Sequence, residues 1–267
     1  MERQPLITLT TDFSLSDHFV GTMKGVMLAI NPLIQFVDIS HHVTPHDIFD
    51  GALTLALAYP YFPDGAIHLA IVDPGVGSAR RPIVVRTGGH TFVAPDNGLL
   101  SLVYEREKSV EAWHVTAEQY FLKPVSHTFH GRDVFAPVAA WLSKGVRPEK
   151  FGAAVTDYVK FTSPRPERLE NGGVRGVVIK ADQFGNLITN IGPSDAPRLF
   201  APEPPPFHIT INKQEVARLY TSYSMGQPAE VFAIAGSSGF IEIGQNRASA
   251  AKALGAARGA EVILLWT

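Results

Sequence analysis

The chain has 267 residues, 45% of them apolar and 18% charged, with a formal charge of −2. That balance suits a globular chain with sizeable cores, and near-neutral charge without a basic cluster excludes nucleic acid as the expected partner. The absence of cysteine excludes a disulfide framework, thiolate catalysis and cysteine-type zinc sites, and the longest apolar runs, ALTLALAY and EVILLW, fall far short of the roughly 20 residues that span a bilayer.

The first stretch, MERQPLITLTTDF, has no basic region followed by an apolar core, so no secretory leader is expected. LITLT is a short β-rich run that ends at Thr11-Asp12. From Asp17 to Ile30 the apolar residues recur at helical spacing, with Asp17 placed to cap the start and Asn31-Pro32 to stop the helix. IQFVDI predicts a second strand. Thr44-Pro45 then opens a second helix, with Thr44 as N-cap and Asp47 in the first turn. IHLAIV predicts a third strand, and PIVVRT and HTFVA, split by Gly88-Gly89, form a hairpin beside it. A helix from Asn97, the strand VEAWHV and a helix from about Arg132 to Lys144 follow. This β-α-β-α-β rhythm predicts an α/β domain over residues 1–161 built on a central, mainly parallel sheet.

The texture then changes. TSPRPERLENGG combines prolines, glycines and four charges, so residues 162–172 read as a linker. GVVIKA, NLITNI, FHITIN, AEVFAIA, GFIEIG and EVILLW are strand-like runs without helices of similar weight between them. Residues 173–267 therefore read as an all-β, barrel-like domain, with APEPPPF as a stiff loop inside it.

In open α/β sheets ligands sit beyond the carboxyl ends of the parallel strands. Asp12 and Asp73 both stand just past such strand ends, and a carboxylate there can accept hydrogen bonds from two neighbouring hydroxyls, as on a ribose. Each could instead be an ordinary turn residue. VDPGVGSARR (72–81) sharpens the case, because it leaves an apolar strand with Asp73, turns over one proline and two glycines, and returns with Arg80. A surface ion pair would not need that turn; a site for a small polar molecule would. In HTFHGRDVFAP, His130 precedes an apolar helix, where unpaired backbone N–H groups favour anions or a polar substrate atom. A lone histidine there is more often a cap than a catalyst.

Two patterns point elsewhere. DISHHVTPHDIFD gathers three histidines and three aspartates, yet His41, His42 and His46 lack a familiar ligand spacing and Thr44-Pro45 interrupts them, so no metal is expected. The glycines of the 72–81 loop match neither GxGxxG nor GxxxxGK[ST], which removes the main support for dinucleotide and triphosphate binding.

Taken in order, LTTDF, VGTMKG, VDISHHV, VDPGVGSARR, PDNGLL, TFHGRDVFAP, DQFGNLITNI and SSGFIEIGQNRASAA resemble the S-adenosyl-L-methionine hydrolases that release adenosine. These are the SAM hydroxide adenosyltransferases, formerly domain of unknown function 62, relatives of the fluorinase and chlorinase. The resemblance implies an α/β domain, a β-barrel domain and a homotrimer, with each site between one subunit's first domain and a neighbour's second. It implies Asp73, Arg80 and His130 around an attacking water, and Asp12 on the ribose hydroxyls. Asp182, Asn186, Ser237 and Glu242 would surround the adenine and the methionine head. No cofactor is implied, since S-adenosyl-L-methionine is the substrate. The expected partner is that small molecule, with no nucleic acid and no membrane, and the expected setting is the cytoplasm.

The chemistry fits the residues. A sulfonium is already an excellent leaving group, so neither a general acid nor a metal is required. The enzyme must supply a positioned water and a way to lose its proton, with Arg80 orienting the water and His130 or Asp73 accepting the proton. Three alternatives stay open at this point: a halogenase with chloride or fluoride as nucleophile, a non-catalytic adenosine or S-adenosylmethionine sensor, and a metal hydrolase built on the 41–50 cluster. The halogenase would want no base and carries an extra loop for which the segment before Asp73 leaves no room.

Overall fold

The computed structural model describes residues 4–267 and divides into a first unit ending at Thr162 and a second over Ser163–Thr267. The first unit is built on β1 (Leu6–Thr11), α1 (Phe19–Ile30), β2 (Gln35–Ser40), α2 (Ile48–Ala58), β3 (Ile67–Ile71), β4 (Pro82–Arg86), β5 (Thr91–Pro95), α3 (Ser101–Arg106), β6 (Glu111–His114), α4 (Ala136–Ser143) and β7 (Ala154–Val155). Its sheet runs β2-β1-β3-β5-β4-β6-β7. Strand alternation sends Ile7, Leu9, Leu69 and Ile71 into a core shared with Met23 and Met27 of α1 and Ala136 to Ala140 of α4. The intervening residues Ala70, Val72, Phe92 and Ala94 face Leu55 of α2 and Val103 of α3. Helices thus cover both faces, which is why β3 is buried along its whole length.

The sheet is mixed, which corrects the expectation of a mainly parallel one. Pairing is parallel from β2 through β1 and β3 to β5 and antiparallel from β5 through β4 and β6 to β7. The β4–β5 hairpin reverses the chain direction beside β3, and β6 and β7, reached through α3 and α4, then add antiparallel on the far side of β4. Two helix starts also differ. α1 begins after His18 with no side-chain cap, because Ser14 turns the preceding loop through a left-handed conformation (φ 61°) and Asp17 lies before the first helical turn. α2 is capped by Asp47, whose carboxylate accepts from the Asp50 N–H. Thr44 bonds instead to Asp50 Oδ2, through both its N–H and its hydroxyl at 2.9 Å.

The second unit contains β8 (Glu167–Arg168), β9 (Val174–Ala181), β10 (Leu187–Thr189), β11 (Phe207–Ile211), β12 (Gln214–Val216), β13 (Leu219–Tyr220), β14 (Val231–Ala235), β15 (Ile241–Gln245), α5 (Ala250–Leu254) and β16 (Glu261–Trp266). Its sheet runs β12-β11-β16-β9-β10-β15-β14-β13, with β8 pairing β9. No ladder joins β12 to β13, so the sheet curls into a half-barrel and does not close. One core fills the concave side, with Val178, Leu187, Ile209, Ile243, Val262 and Leu264 fully or almost fully buried. The segment read as linker carries β8, and Leu169 N–H bonds back to the Gly173 carbonyl. No helix among the described residues is long and apolar enough to cross a membrane.

Candidate active site

The loop after β3 is tied down by a series of polar contacts. Asn97 Nδ2 donates to the Val72 carbonyl at 2.8 Å, fixing the strand end immediately before Asp73. The Asp73 carbonyl then accepts from the Val76 N–H, and the Gly75 carbonyl accepts from both the N–H and the hydroxyl of Ser78. Gly77 has φ 78°, and a Cβ there would collide with the His127 carbonyl, so only glycine fits. The outcome is that Arg80 returns onto Asp73. Its Nε donates to both carboxylate oxygens at 2.9 Å, and its Nη2 also bonds Oδ2. Both side chains are nearly enclosed, 9% exposed for Arg80 and 6% for Asp73. The Arg80 guanidinium also lies over the Phe135 ring, 5.0 Å from its centre.

The adjacent Arg81 turns the other way. It pairs with Asp96 and with Asp157, whose backbone it also holds. Of the basic pair, one member faces the candidate site and the other ties the sheet edge to the 157–159 segment.

His130 completes the group. Arg80 Nη2 donates to His130 Nδ1 at 3.0 Å. A guanidinium has no acceptor, so Nδ1 must carry a lone pair and the ring's proton sits on Nε2. Burial, and then the Arg80 charge, push the His130 pKa down, which keeps the ring neutral. The turn that presents it is a π-helical one over Gly131–Phe135, a feature frequent at functional sites. Pro137 cannot donate to the Asp133 carbonyl, and the Leu122 N–H takes that acceptor at 2.9 Å. The fully buried Asp133 carboxylate receives Arg132 and the Ser126 N–H, pinning the segment that leads to His130.

Asp12 stands beyond β1 on the same carboxyl rim as Asp73, and its Oδ2 accepts from the His46 N–H at 2.9 Å. The histidine-rich segment does not converge. His41 points inward to Thr11, while His42 and His46 are exposed. Among the described residues no group of three or more metal-ligating side chains comes together.

In the second unit, Asp182 and Asn186 meet at one turn. Asp182 Oδ1 accepts from the N–H groups of Phe184 and Asn186, and Asn186 Nδ2 donates to Oδ2 at 2.8 Å. Glu242 is buried and accepts from the Tyr223 hydroxyl at 2.7 Å and from the Ser238 hydroxyl at 3.0 Å. Ser237 itself is exposed; the alternation of the turn gives the contact to its neighbour. Burial and then Glu242 hold the Tyr223 phenol pKa well above its usual value, so it stays a donor. A cleft of about 500 Å³ opens here, lined by Phe184, Asn186, Tyr223, Arg247, Ala248 and Ser249 among others.

Each unit therefore assembles its own share of the expected residues: Asp73, Arg80 and His130 in direct contact, with Asp12 on the same rim, and Asp182 with Asn186 beside a cleft. The sequence reading missed Tyr223, whose segment TSYSMG has no strand or cap signal. It also missed the Thr11–His41 contact, although the VDISHH run held the residues.

The sequence matches the family model described as SAM hydroxide adenosyltransferase N-terminal domain over residues 7–152, and the corresponding C-terminal domain over 176–263. A protein of Salinispora tropica named (R)-S-adenosyl-L-methionine hydrolase is 37% identical over 261 residues, covering 97% of each chain. One of the same name from Thermus thermophilus is 37% identical, covering 96% of this chain and 97% of its own. The crystal structure of an uncharacterized conserved protein from Thermotoga maritima superposes with a TM-score of 0.90 at 34% identity, covering 97% of this chain and 99% of that one.

Proposed function

This chain belongs to the SAM hydroxide adenosyltransferase family, and from that premise we propose how its residues convert S-adenosyl-L-methionine and water into adenosine and L-methionine. The chain is an S-adenosyl-L-methionine hydrolase. The observation that carries the mechanism is the Arg80 bridge, which binds Asp73 and His130 with one guanidinium. Water attacks the 5′ carbon as the C–S bond breaks, and the bonding pair leaves on sulfur as the neutral thioether of methionine. No proton is needed on the leaving group.

The attacking water becomes strongly acidic as its C–O bond forms, so a weak base suffices to take its proton. His130 is not that base in this geometry, because Nδ1 is occupied by Arg80 and Nε2 already bears hydrogen. Its Nε2–H can instead hold the water oxygen. Asp73, with three of its roughly four lone-pair positions used by Arg80, keeps one to receive the proton. Holding the water and the carbon in line supplies much of the acceleration, on the order of 7–11 kcal/mol in favourable models.

Asp12 is assigned to the ribose hydroxyls, supported by its place beside Asp73 on the rim. Asp182, Asn186, Ser237 and Glu242 are assigned to the adenine and the methionine head, with Ser238 and Tyr223 holding Glu242 in place. The cleft beside Asn186 supports this division. No cofactor and no metal enter the scheme, because the sulfonium departs unaided. The cytoplasm is the assigned setting, in keeping with a cysteine-free sequence. A homotrimer with shared sites is part of the reading, supported by the family resemblance and by the split of polar residues between two units. Mixing His130→Ala with Asn186→Ala subunits under exchange, assayed at substrate well below KM, tests that part: activity above the sum of the two separate preparations supports shared sites, and no gain despite proven exchange refutes them. The reaction itself is tested by assay in chelator with product analysis. Equal adenosine and methionine are expected; activity lost in EDTA and restored by zinc or magnesium would overturn the metal-free scheme.

A further inference from the structure

Asp12 follows the last residue of β1, beyond the sheet's own hydrogen bonds, and something else must hold it. The Asp12 carboxylate accepts the His46 N–H at 2.9 Å, and the backbone on either side of it is held by His41, which is 2% exposed. Thr11 Oγ1 lies 2.8 Å from His41 Nδ1, and the same hydroxyl accepts the Phe13 N–H at 3.2 Å. The His41 carbonyl accepts the Ser14 N–H at 2.7 Å. His41 therefore grips the residues on both sides of Asp12, through its ring before it and its backbone after it. Ser14 sits in the left-handed region at φ 61°, a conformation that a residue with a Cβ keeps only when its surroundings impose it.

Donor directions around this group agree. The Asp38 carboxylate, an acceptor only, lies beside His41 Nε2, so the ring's hydrogen belongs there and Nδ1 is left to accept the Thr11 hydroxyl. Nε2 is 3.1 Å from Asp38 Oδ1, though off the line of a good hydrogen bond. Asp38 in turn pairs with Lys24 at 2.7 Å. The chain of contacts runs from α1 through β2 to the loop that bears Asp12.

We infer that His41, acting through Thr11, is a positioning residue that fixes the Asp12 carboxylate for the substrate's vicinal hydroxyls. The inference rests on the assignment of Asp12 to the ribose. His41 touches no substrate atom; it sets where Asp12 stands before substrate arrives, so its loss weakens binding more than turnover.

The test compares steady-state kinetics on S-adenosyl-L-methionine for Thr11→Val, His41→Phe, His41→Asn and Asp12→Ala, with thermal melting of each. Thr11→Val keeps the side-chain shape and removes only the hydroxyl, so it serves even if His41→Phe folds poorly. Loss of one such hydrogen bond predicts a rise in KM of roughly five- to tenfold, with kcat changed less than about threefold. His41→Asn, whose amide oxygen can stand in for Nδ1, should recover most of the affinity. Thr11→Val combined with His41→Phe should be no worse than the poorer single variant, because both break one contact. Folded variants with lower melting temperature and unchanged KM would overturn the positioning role while leaving the ribose assignment intact. An Asp12→Ala enzyme with unchanged KM would defeat the ribose assignment itself, and the inference with it.

Discussion

The two units handle polar groups in opposite ways. In the first, Asp73 and Arg80 are nearly enclosed and bonded to each other, and half-buried His130 is bonded to Arg80 through Nδ1. In the second, Asn186 and Tyr223 line an open cleft, and each is a neutral group held by a carboxylate, Asp182 for Asn186 and Glu242 for Tyr223. Locked charges set the geometry of a reaction, because they need not reorganise as charge moves. Groups beside a cleft can still exchange a water for a ligand, which is what recognition requires. On the proposed reading, chemistry belongs to the first unit and much of the binding to the second.

The sharpest way to break that assignment is to cut the Arg80 bridge. Arg80→Ala or Asp73→Asn should lower kcat by about 10²–10⁴-fold, the usual range for losing a positioned proton-transfer group. His130→Ala should act on kcat in the same direction. A wild-type turnover in any of them would remove that residue from the chemistry. Because the Asp73–Arg80 pair is enclosed, truncating one partner also threatens stability, so melting curves must accompany the rates.

Acid should separate the units next. Nine of the ten histidines precede residue 163, and the second unit has only His208. His68 is fully buried between Thr8 and His90, and burial, then the His90 charge, hold its pKa down to about 3. The unfolded chain binds this proton near pH 6.5, so stability is complete above that pH and is lost as pH falls toward 3. At pH 5 the loss is about 2 kcal/mol. Denaturant unfolding of a Trp266→Phe variant, which leaves Trp113 and Trp141 as reporters in the first unit, should show it, and His68→Asn should shrink it. An equal loss in the His68→Asn protein would assign the acid sensitivity elsewhere.

The smallest effect belongs to the cleft. Asn186→Ala removes one neutral hydrogen-bonding side chain and should raise KM by roughly tenfold with kcat nearly kept. A fall in kcat alone would instead make the second unit part of the chemistry.

Much of this contrast could be read from the chain. The Asp73–Arg80 return was legible because Pro74, Gly75 and Gly77 leave the loop few other paths, and φ 78° at Gly77 is the physical reason. The six strands of the second unit's core were legible from their apolar runs, whereas β8, β12 and β13 are short and mostly polar or exposed. The mixed sheet was not legible, since a hairpin pattern does not say which of its strands will sit against β3. Nor was the choice between Asp47 and Thr44 as cap, because both residue types cap well and the outcome turned on where Asp50 came to lie. The protonated nitrogen of His130 depends on a contact 50 residues away in sequence, and no local pattern encodes it.

The central claim is that water, held by the Arg80-bridged residues, attacks the 5′ carbon. Turnover in ¹⁸O-water with halide salts present, followed by mass analysis of both products, tests it most directly. The account predicts one ¹⁸O in the 5′-hydroxyl of adenosine, none in methionine, and no 5′-halogenated nucleoside. Unlabelled adenosine, label in methionine, or a halogenated product would contradict it.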